Sequence, residues 1–351
     1  MILTANIEKD YRIIFEKNRD IGRLHSKSSF GRIVNQGKLE ISLLEAAFLL
    51  DEDKIKIKKG EKYIVFEEIV KKAAEKIPRF DILYTVFKDL RKRGCHVNIF
   101  DEIKKTDFDF LIPNKKDDVN YYVACFSERS YINIKKVKKL IEKAERKKGF
   151  LWFTIVDEEG DITYYDTKKL NPYGINKTCK YSKTKAFLID DRTVIFNEKK
   201  YKKLFEKEFF GKSFGKGLQV SMLESLYLKD KKILDIKDIN DKIISLEELG
   251  GKAEKYQPDI KTRLKIYSDL KNRGLIVKTG FKFGTHFRAY TKKPDEGHAE
   301  YLVQSVDKNF KFIWPNISRA VRLAHSVNKE MLFAFEIDDK INYVSLGRLR
   351  P

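Results

Sequence analysis

Histidine is scarce in this sequence, five residues in all, and three of them, His286, His298 and His325, lie beyond position 285. Around them the spacing brings three complementary side chains within reach of one another. Tyr290 closes a short apolar run, His298 follows the turn Pro294-Asp295-Glu296-Gly297 and opens the next strand, and Lys329 stands where a helix hands over to a further strand. A phenol, an imidazole and an ammonium, with no carboxylate cluster, suit the cleavage of RNA by its own 2′-hydroxyl. That reaction needs a base, an acid and a cation but no metal. A tyrosine serves as base only if a neighbouring cation pulls down its pKa of about 10. Histidine, titrating near neutrality, protonates the departing 5′-oxygen, and lysine offsets charge on the non-bridging oxygens.

By spacing alone the plain readings come first: a strand-end aromatic, an edge histidine and one solvated lysine among dozens. The elements that would position the three must therefore be found. The closest thing to a blueprint is an internal repeat. Phe87-Lys88-Asp89-Leu90-Arg91-Lys92-Arg93-Gly94 recurs 180 positions later as Tyr267-Ser268-Asp269-Leu270-Lys271-Asn272-Arg273-Gly274, and Tyr121-Tyr122-Val123 recurs as Tyr301-Leu302-Val303. Leu43-Leu44-Glu45 resembles Met222-Leu223-Glu224 at nearly the same offset. A period this long is a duplication of domains, not a solenoid.

Each copy reads as a helical opening followed by a mixed closing part. Helices over 79–93 and 259–273 carry apolar stripes (Ile82, Val86, Leu90; Leu264, Tyr267, Leu270) and stop at Gly94 and Gly274. Strands follow at Leu275-Ile276-Val277, 287–290 and 301–303, the last two flanking a hairpin turn. A helix striped with Ile317, Val321, Ala324 and Val327 then delivers the buried strand Leu332–Ile337, as Ile141–Ala144 leads into 150–156 in the first copy. Residues 166–185 read as the junction. The fold class is α+β, two tandem repeats, each a small helical or mixed N-terminal domain and a mixed-sheet, nuclease-like α/β C-terminal domain. The boundaries fall at 1–76, 77–170, 171–256 and 257–351.

Composition narrows the partner. With 73 Lys and Arg against 52 Asp and Glu the chain carries a net charge of +21, while 42% hydrophobic residues mark it as folded, so a folded surface meets a polyanion. No stretch approaches a membrane span, and the start Met1-Ile2-Leu3-Thr4-Ala5-Asn6 lacks a basic segment followed by an apolar core. A cytoplasmic protein with no membrane partner is expected. Cys95, Cys125 and Cys179 are isolated, none in a CxxC pair or at ligand spacing from a histidine, so neither zinc nor a disulfide framework is implied.

Three blocks in order, Gly280-Phe281-Lys282-Phe283-Gly284-Thr285-His286-Phe287-Arg288-Ala289-Tyr290, His298-Ala299-Glu300-Tyr301-Leu302-Val303 and Ser318 to Lys329, resemble the catalytic domain of archaeal tRNA-splicing endonucleases. Phe214-Gly215 with Leu218-Gln219-Val220-Ser221-Met222-Leu223-Glu224 is similar to the helical N-terminal domain of the same enzymes. The resemblance implies the homodimeric type, with a degenerate structural repeat followed by a catalytic one. It implies Tyr290 as general base, His298 as general acid and Lys329 as transition-state cation, with no cofactor and no metal, while His286 and His325 occupy other columns of the motif. It further implies an arginine pair, Arg322 and Arg348, that sandwiches a bulge base, although Arg350 could replace Arg348. The acidic turn Asp157-Glu158-Glu159-Gly160-Asp161 would dock into a basic cleft of the partner chain. The substrate would be precursor tRNA with a bulge-helix-bulge, cut at both exon–intron junctions to leave 2′,3′-cyclic phosphate and 5′-hydroxyl ends.

The first copy should be inert. At the constant offset Tyr290 falls on Phe110 and His298 on Asp118, and only Lys147 or Lys148 can be set against Lys329. Two other functions stay open on residues alone: a metal-dependent nuclease using Asp295 with Asp338-Asp339-Lys340, and a non-catalytic RNA-binding or scaffolding subunit.

Overall fold

Ten strands pair into one continuous sheet that crosses both halves of the chain. In spatial order they are Ile276–Thr279, Phe287–Tyr290, Tyr301–Ser305, Glu330–Ile337, Lys340–Leu349, Ile162–Leu170, Gly149–Val156, Val119–Ser127, Phe110–Asn114 and Asn98–Ile99. The computed structural model describes residues 2–100, 107–114, 118–176 and 181–351; Cys179 lies outside them. The halves join where Ile162–Leu170 runs antiparallel to Lys340–Leu349, from Tyr164↔Leu349 to Leu170↔Tyr343. A second, shorter seam pairs Tyr131–Asn133 with Lys311–Ile313, centred on Ile132↔Phe312. Both seams join like elements of the two halves, which gives the chain an internal approximate two-fold axis.

Helices cover the sheet on both faces. Phe80–Lys92 and Ile260–Asn272 lie on one. Ile134–Arg146 and Trp314–Ser326, each of 13 residues, lie on the other and share a single core drawn from both halves. At its centre Trp314 meets Phe126 and Phe153 at ring separations of 5.2 and 5.5 Å. Burying that much aromatic area against both halves makes their separation expensive. Each helix of the first pair is tied to the sheet by the same polar device: the hydroxyl of Tyr164 donates to Asp89, and that of Tyr343 to Asp269, both at 2.6 Å. Arg93 and Arg273 donate to the same carboxylates from one turn further along.

The opening part of each half carries more strand than the sequence suggests. A six-stranded sheet precedes residue 65 and a five-stranded one lies between 184 and 237, each with helices packed on one face. Their strands are short and interrupted by turns, so the helical runs dominate the sequence pattern. The helices Leu43–Asp51 and Met222–Asp230 both begin with a capping box, Ser42 with Glu45 and Ser221 with Glu224. Each buried glutamate also accepts from the preceding loop, from the N–H of Gly31 at 2.8 Å and of Gly211 at 3.0 Å. Between the halves, strand continues to Leu170, so the connection is shorter than 166–185. Residues 171–176 then strap onto the second half: Gly174 donates to Arg273 O, Ile175 to Thr291 O and Asn176 to Gly274 O, each at 3.0 Å.

The ladder registers correct the expected correspondence between copies. Val123 and Val303 pair with Phe110 and Phe287 respectively, so Phe110 matches Phe287, and Tyr290 matches Pro113. Gly149 pairs with Asn120, whereas Tyr301 pairs with Glu330, so Lys329 matches Gly149 and neither Lys147 nor Lys148. A Cβ at Gly149 would lie 2.4 Å from the Asn120 carbonyl oxygen and 2.5 Å from the Tyr122 ring. No side chain fits there. His298 and Asp118 both stand three residues before the matched tyrosines and keep their correspondence.

Two outcomes test these contacts. Gly274 has φ +76°, and a Cβ there would meet the Gly174 carbonyl oxygen at 2.5 Å. Gly274→Ala should therefore lower stability by about 1–3 kcal/mol or more, read as a shifted urea midpoint. His286 accepts the Ser305 N–H on Nδ1 at 3.1 Å, and burial first, the charge of Arg263 second, lower its pKa to about 4. The unfolded chain takes up this proton near pH 6.5 and the folded chain only near 4, so stability should fall as pH drops through that window. The loss is about 3 kcal/mol, and His286→Gln should flatten that part of the stability–pH curve.

Candidate active site

Strand alternation and register place the expected residues. Arg288, Leu302, Met331, Leu346 and Thr167 are consecutive cross-strand partners. Leu302, Met331 and Leu346 face the core beneath helix Trp314–Ser326. Two residues further along, at the same end of the sheet, come in strand order Tyr290, Glu300, Lys329, Arg348 and Tyr165. The pairing of Tyr165 with Arg348 closes this row. Tyr290 and Lys329 stand two strands apart, about 10 Å between backbones, a span that their long side chains and one phosphodiester can bridge.

His298 stands outside the row, on a loop. Tyr301–Ser305 begins three residues after it, so His298 does not open a strand as expected; it is an exposed loop residue. Glu300 fixes that loop, because its carboxylate accepts from the Thr291 N–H at 2.8 Å and the Thr291 hydroxyl at 2.6 Å, closing the neck of the hairpin. The backbone carbonyl of Glu300 accepts the N–H of Glu330 at 2.8 Å. Lys329 is thus one residue, and His298 two, removed from a backbone contact shared by their strands. Ala299 is buried against Tyr290 and Ile276, so the loop packs on the ring whose neighbour it carries. Tyr290 is 8% exposed. The Arg288 guanidinium carbon lies 5.8 Å from its ring centroid.

Beside the row opens a pocket of about 240 Å³, lined by Ala324 and His325 of the helix and by Asn328, Lys329, Gly347 and Arg348. The Lys329 ammonium donates to Val327 O at 3.2 Å and sits 5.8 Å from the Phe283 ring. Among the described residues no hydrogen bond joins Tyr290, His298 and Lys329 to one another. Arg322 is exposed on the helix above, and Arg350 is exposed beyond the strand that holds Arg348. Tyr165 lies between the arginines: burial raises its phenol, while a hydrogen bond with Ser318 and the charges of Arg322 and Arg348 oppose that shift. Sequence reasoning missed Tyr165, which comes from the other half, and the Glu300–Thr291 clamp, which only a closed hairpin reveals.

The other expected residues are scattered. His286 is inward-facing, bonded to Ser305. In the acidic turn Asp157 accepts the N–H groups of Glu159 and Asp161 at 3.0 and 2.8 Å, and Glu158 accepts from Arg129 at 2.8 Å. Glu159 and Asp161 stay exposed, without an ion-pair partner among the described residues. Asp295 lies in the hairpin turn, and Asp338 and Asp339 form the turn between Glu330–Ile337 and Lys340–Leu349. Among the described residues no three His, Cys, Asp or Glu side chains group so as to hold a metal ion, and no helix is long and apolar enough to cross a membrane.

Against this geometry, comparison with known proteins is direct. Residues 260–343 match the family described as tRNA intron endonuclease, catalytic C-terminal domain. Its N-terminal domain is matched twice, by 6–70 and by 184–250. A tRNA-splicing endonuclease of Methanococcoides burtonii is 35% identical over 99% of this chain and 100% of its own length. One from Methanosarcina barkeri is 33% identical over 97% of this chain and 98% of its own, and one from Haloferax volcanii 30% identical over 94% and 95%. The chain belongs to the tRNA intron endonuclease family.

Proposed function

We propose that the protein is a tRNA-splicing endoribonuclease that works without metal. The observation that carries this reading is the single row holding Tyr290, Lys329 and Arg348 at one end of one sheet face, with the His298 loop held over it. With a phosphodiester in the row, Tyr290 takes the proton of the 2′-hydroxyl and O2′ attacks phosphorus. The bond to O5′ breaks as His298 delivers a proton to it, leaving a 2′,3′-cyclic phosphate and a 5′-hydroxyl. Lys329 leaves its contact with the Val327 carbonyl to meet the non-bridging oxygens, where charge develops.

In this reading the second half, 171–256 and 257–351, is the catalytic repeat, and the first, 1–76 and 77–170, its structural counterpart. Pro113, Asp118 and Gly149 stand where Tyr290, His298 and Lys329 stand, so no base, neutral-range acid or cation is available there. Arg322 and Arg348, spaced by Tyr165, stack on an extruded bulge base. Splayed bulge nucleotides offer what A-form grooves conceal, so shape recognition of a bulge-helix-bulge in precursor tRNA fits this site. A homodimer, its exposed Glu159 and Asp161 docked on the partner's basic surface, supplies one site per bulge in the cytoplasm.

Incubation of bulge-helix-bulge RNA in excess EDTA should give undiminished cleavage with cyclic phosphate ends; a 3′-hydroxyl with a 5′-phosphate would overturn the mechanism. His298→Ala and Lys329→Ala should each slow single-turnover cleavage by about 10²–10⁴-fold while RNA binding persists. Binding with no cleavage by the native chain would instead identify a non-catalytic subunit. Glu300→Ala, which frees the hairpin neck, should cost about 10²-fold in kcat, with partial recovery in Glu300→Gln and little change in KM. An equal rise in KM would mean that the clamp serves binding and not the placement of His298.

A further inference from the structure

The outer face of the first six-stranded sheet carries an unneutralised patch. Ile55–Lys59 and Lys62–Ile64 form the edge of that sheet, paired as Lys58↔Tyr63. Ile55, Ile57 and Ile64 face the core, which turns Lys56, Lys58 and Tyr63 outward. Tyr63 is 52% exposed, and the ammonium groups of Lys56 and Lys58 lie 5.7 and 5.4 Å from its ring centroid. Neither lysine has an ion-pair partner among the described residues. Their inner neighbours in the ladder, Thr4 and Asn6, are uncharged, and the nearby Asp51 and Glu52 are taken by Lys88 and Lys92.

The corresponding face of the second half is different. There Asp235 stands where Lys56 does and is bridged by Lys183 at 2.7 Å, while Lys237, in the place of Lys58, is bridged by Asp241 at 2.7 Å. The two halves share the order of five strands and differ on the open side, where the second has Lys185 opposite Asp235 and a single backbone bridge, Lys237 with Ile243, in place of the strand that carries Tyr63. Neutralising exposed lysines takes only a nearby carboxylate, as the second copy demonstrates. In the first copy the ammonium groups are instead steadied on an aromatic face, alternate residues about 7 Å apart along a strand. That arrangement fits successive phosphates of a nucleic acid backbone.

Resting on the nuclease reading above, the geometry points to Lys56, Lys58 and Tyr63 as a second RNA contact, one that takes the phosphate backbone of the duplex extending beyond the bulges. The half without chemistry then contributes affinity for substrate at a distance from the scissile bond. Phosphate contacts of this kind position the RNA and carry no sequence preference.

The test uses the full chain, with Lys56→Gln and Lys58→Gln combined, and two bulge-helix-bulge RNAs that differ only in having short arms or arms lengthened by a helical turn. For the long-arm RNA, binding should weaken about tenfold at low salt, and the slope of log Kd against log salt should fall by roughly 1.4–1.8, two phosphates' worth. Short-arm affinity and kcat should not change, and Lys183→Gln with Lys237→Gln should behave as wild type. An unchanged long-arm Kd and slope, or equal weakening on both RNAs, overturns the proposal. So does an altered oligomer mass with RNA binding intact, which would assign the patch to protein contact. Failure of the wild-type chain to cut the short-arm RNA would count against the nuclease reading alone, since the binding comparison still reports on the patch.

Discussion

The pairing of Ile162–Leu170 with Lys340–Leu349 is the constraint on which the site depends. Through it two five-stranded sheets become one, and the register of the joint decides which residues of the first half lie beside the row of Tyr290, Lys329 and Arg348. Slipping it by one residue would turn Tyr165 to the opposite face and remove the group between Arg322 and Arg348. The seam is held at right angles to the strands as well, because the Trp314 cluster joins both halves beneath it. Backbone pairing fixes position along the strand, and aromatic burial fixes the sheet against its helices.

Polar groups complete the placement where backbone order ends. Tyr343 and Asp269 anchor helix Ile260–Asn272. Glu300 closes the hairpin, and the strap of 171–176 lies against Thr291, next to Tyr290. The loop that carries His298 is therefore tied at its neck and exposed at its tip. Such a division suits a group that must meet a large substrate, since it limits the motion lost on binding without walling off the imidazole.

Much of this was legible in the sequence where a residue's own chemistry dictates its place. Gly94 and Gly274 end their helices with φ of +85° and +76°, and Val86, Leu90, Tyr267 and Leu270 are buried as their stripes require. The helix over 314–326 and the strand it delivers also follow from pattern. Register did not. Ten residues separate Ile99 from its partner Phe110 where seven separate Thr279 from Phe287, and twelve separate Phe110 from Val123 where fifteen separate Phe287 from Val303. The two differences cancel, so a constant offset of 180 fits on either side and misplaces only the strand between. That strand carries Tyr290. The opening sheets were hidden for another reason: strands of two to six residues leave too short an alternation to outweigh the helical runs beside them.

Gly149 limits which side chains the first half can carry at the position matched to Lys329. Its backbone is pressed against the Asn120 carbonyl and the Tyr122 ring, so a lysine at that point is barred by space before chemistry is considered. Setting the side chains of the second half at these positions would take a shifted backbone at Asn120, a smaller residue at 122 and a phenol in place of Pro113 together. The two halves are thus unequal in which side chains they can hold at matched positions.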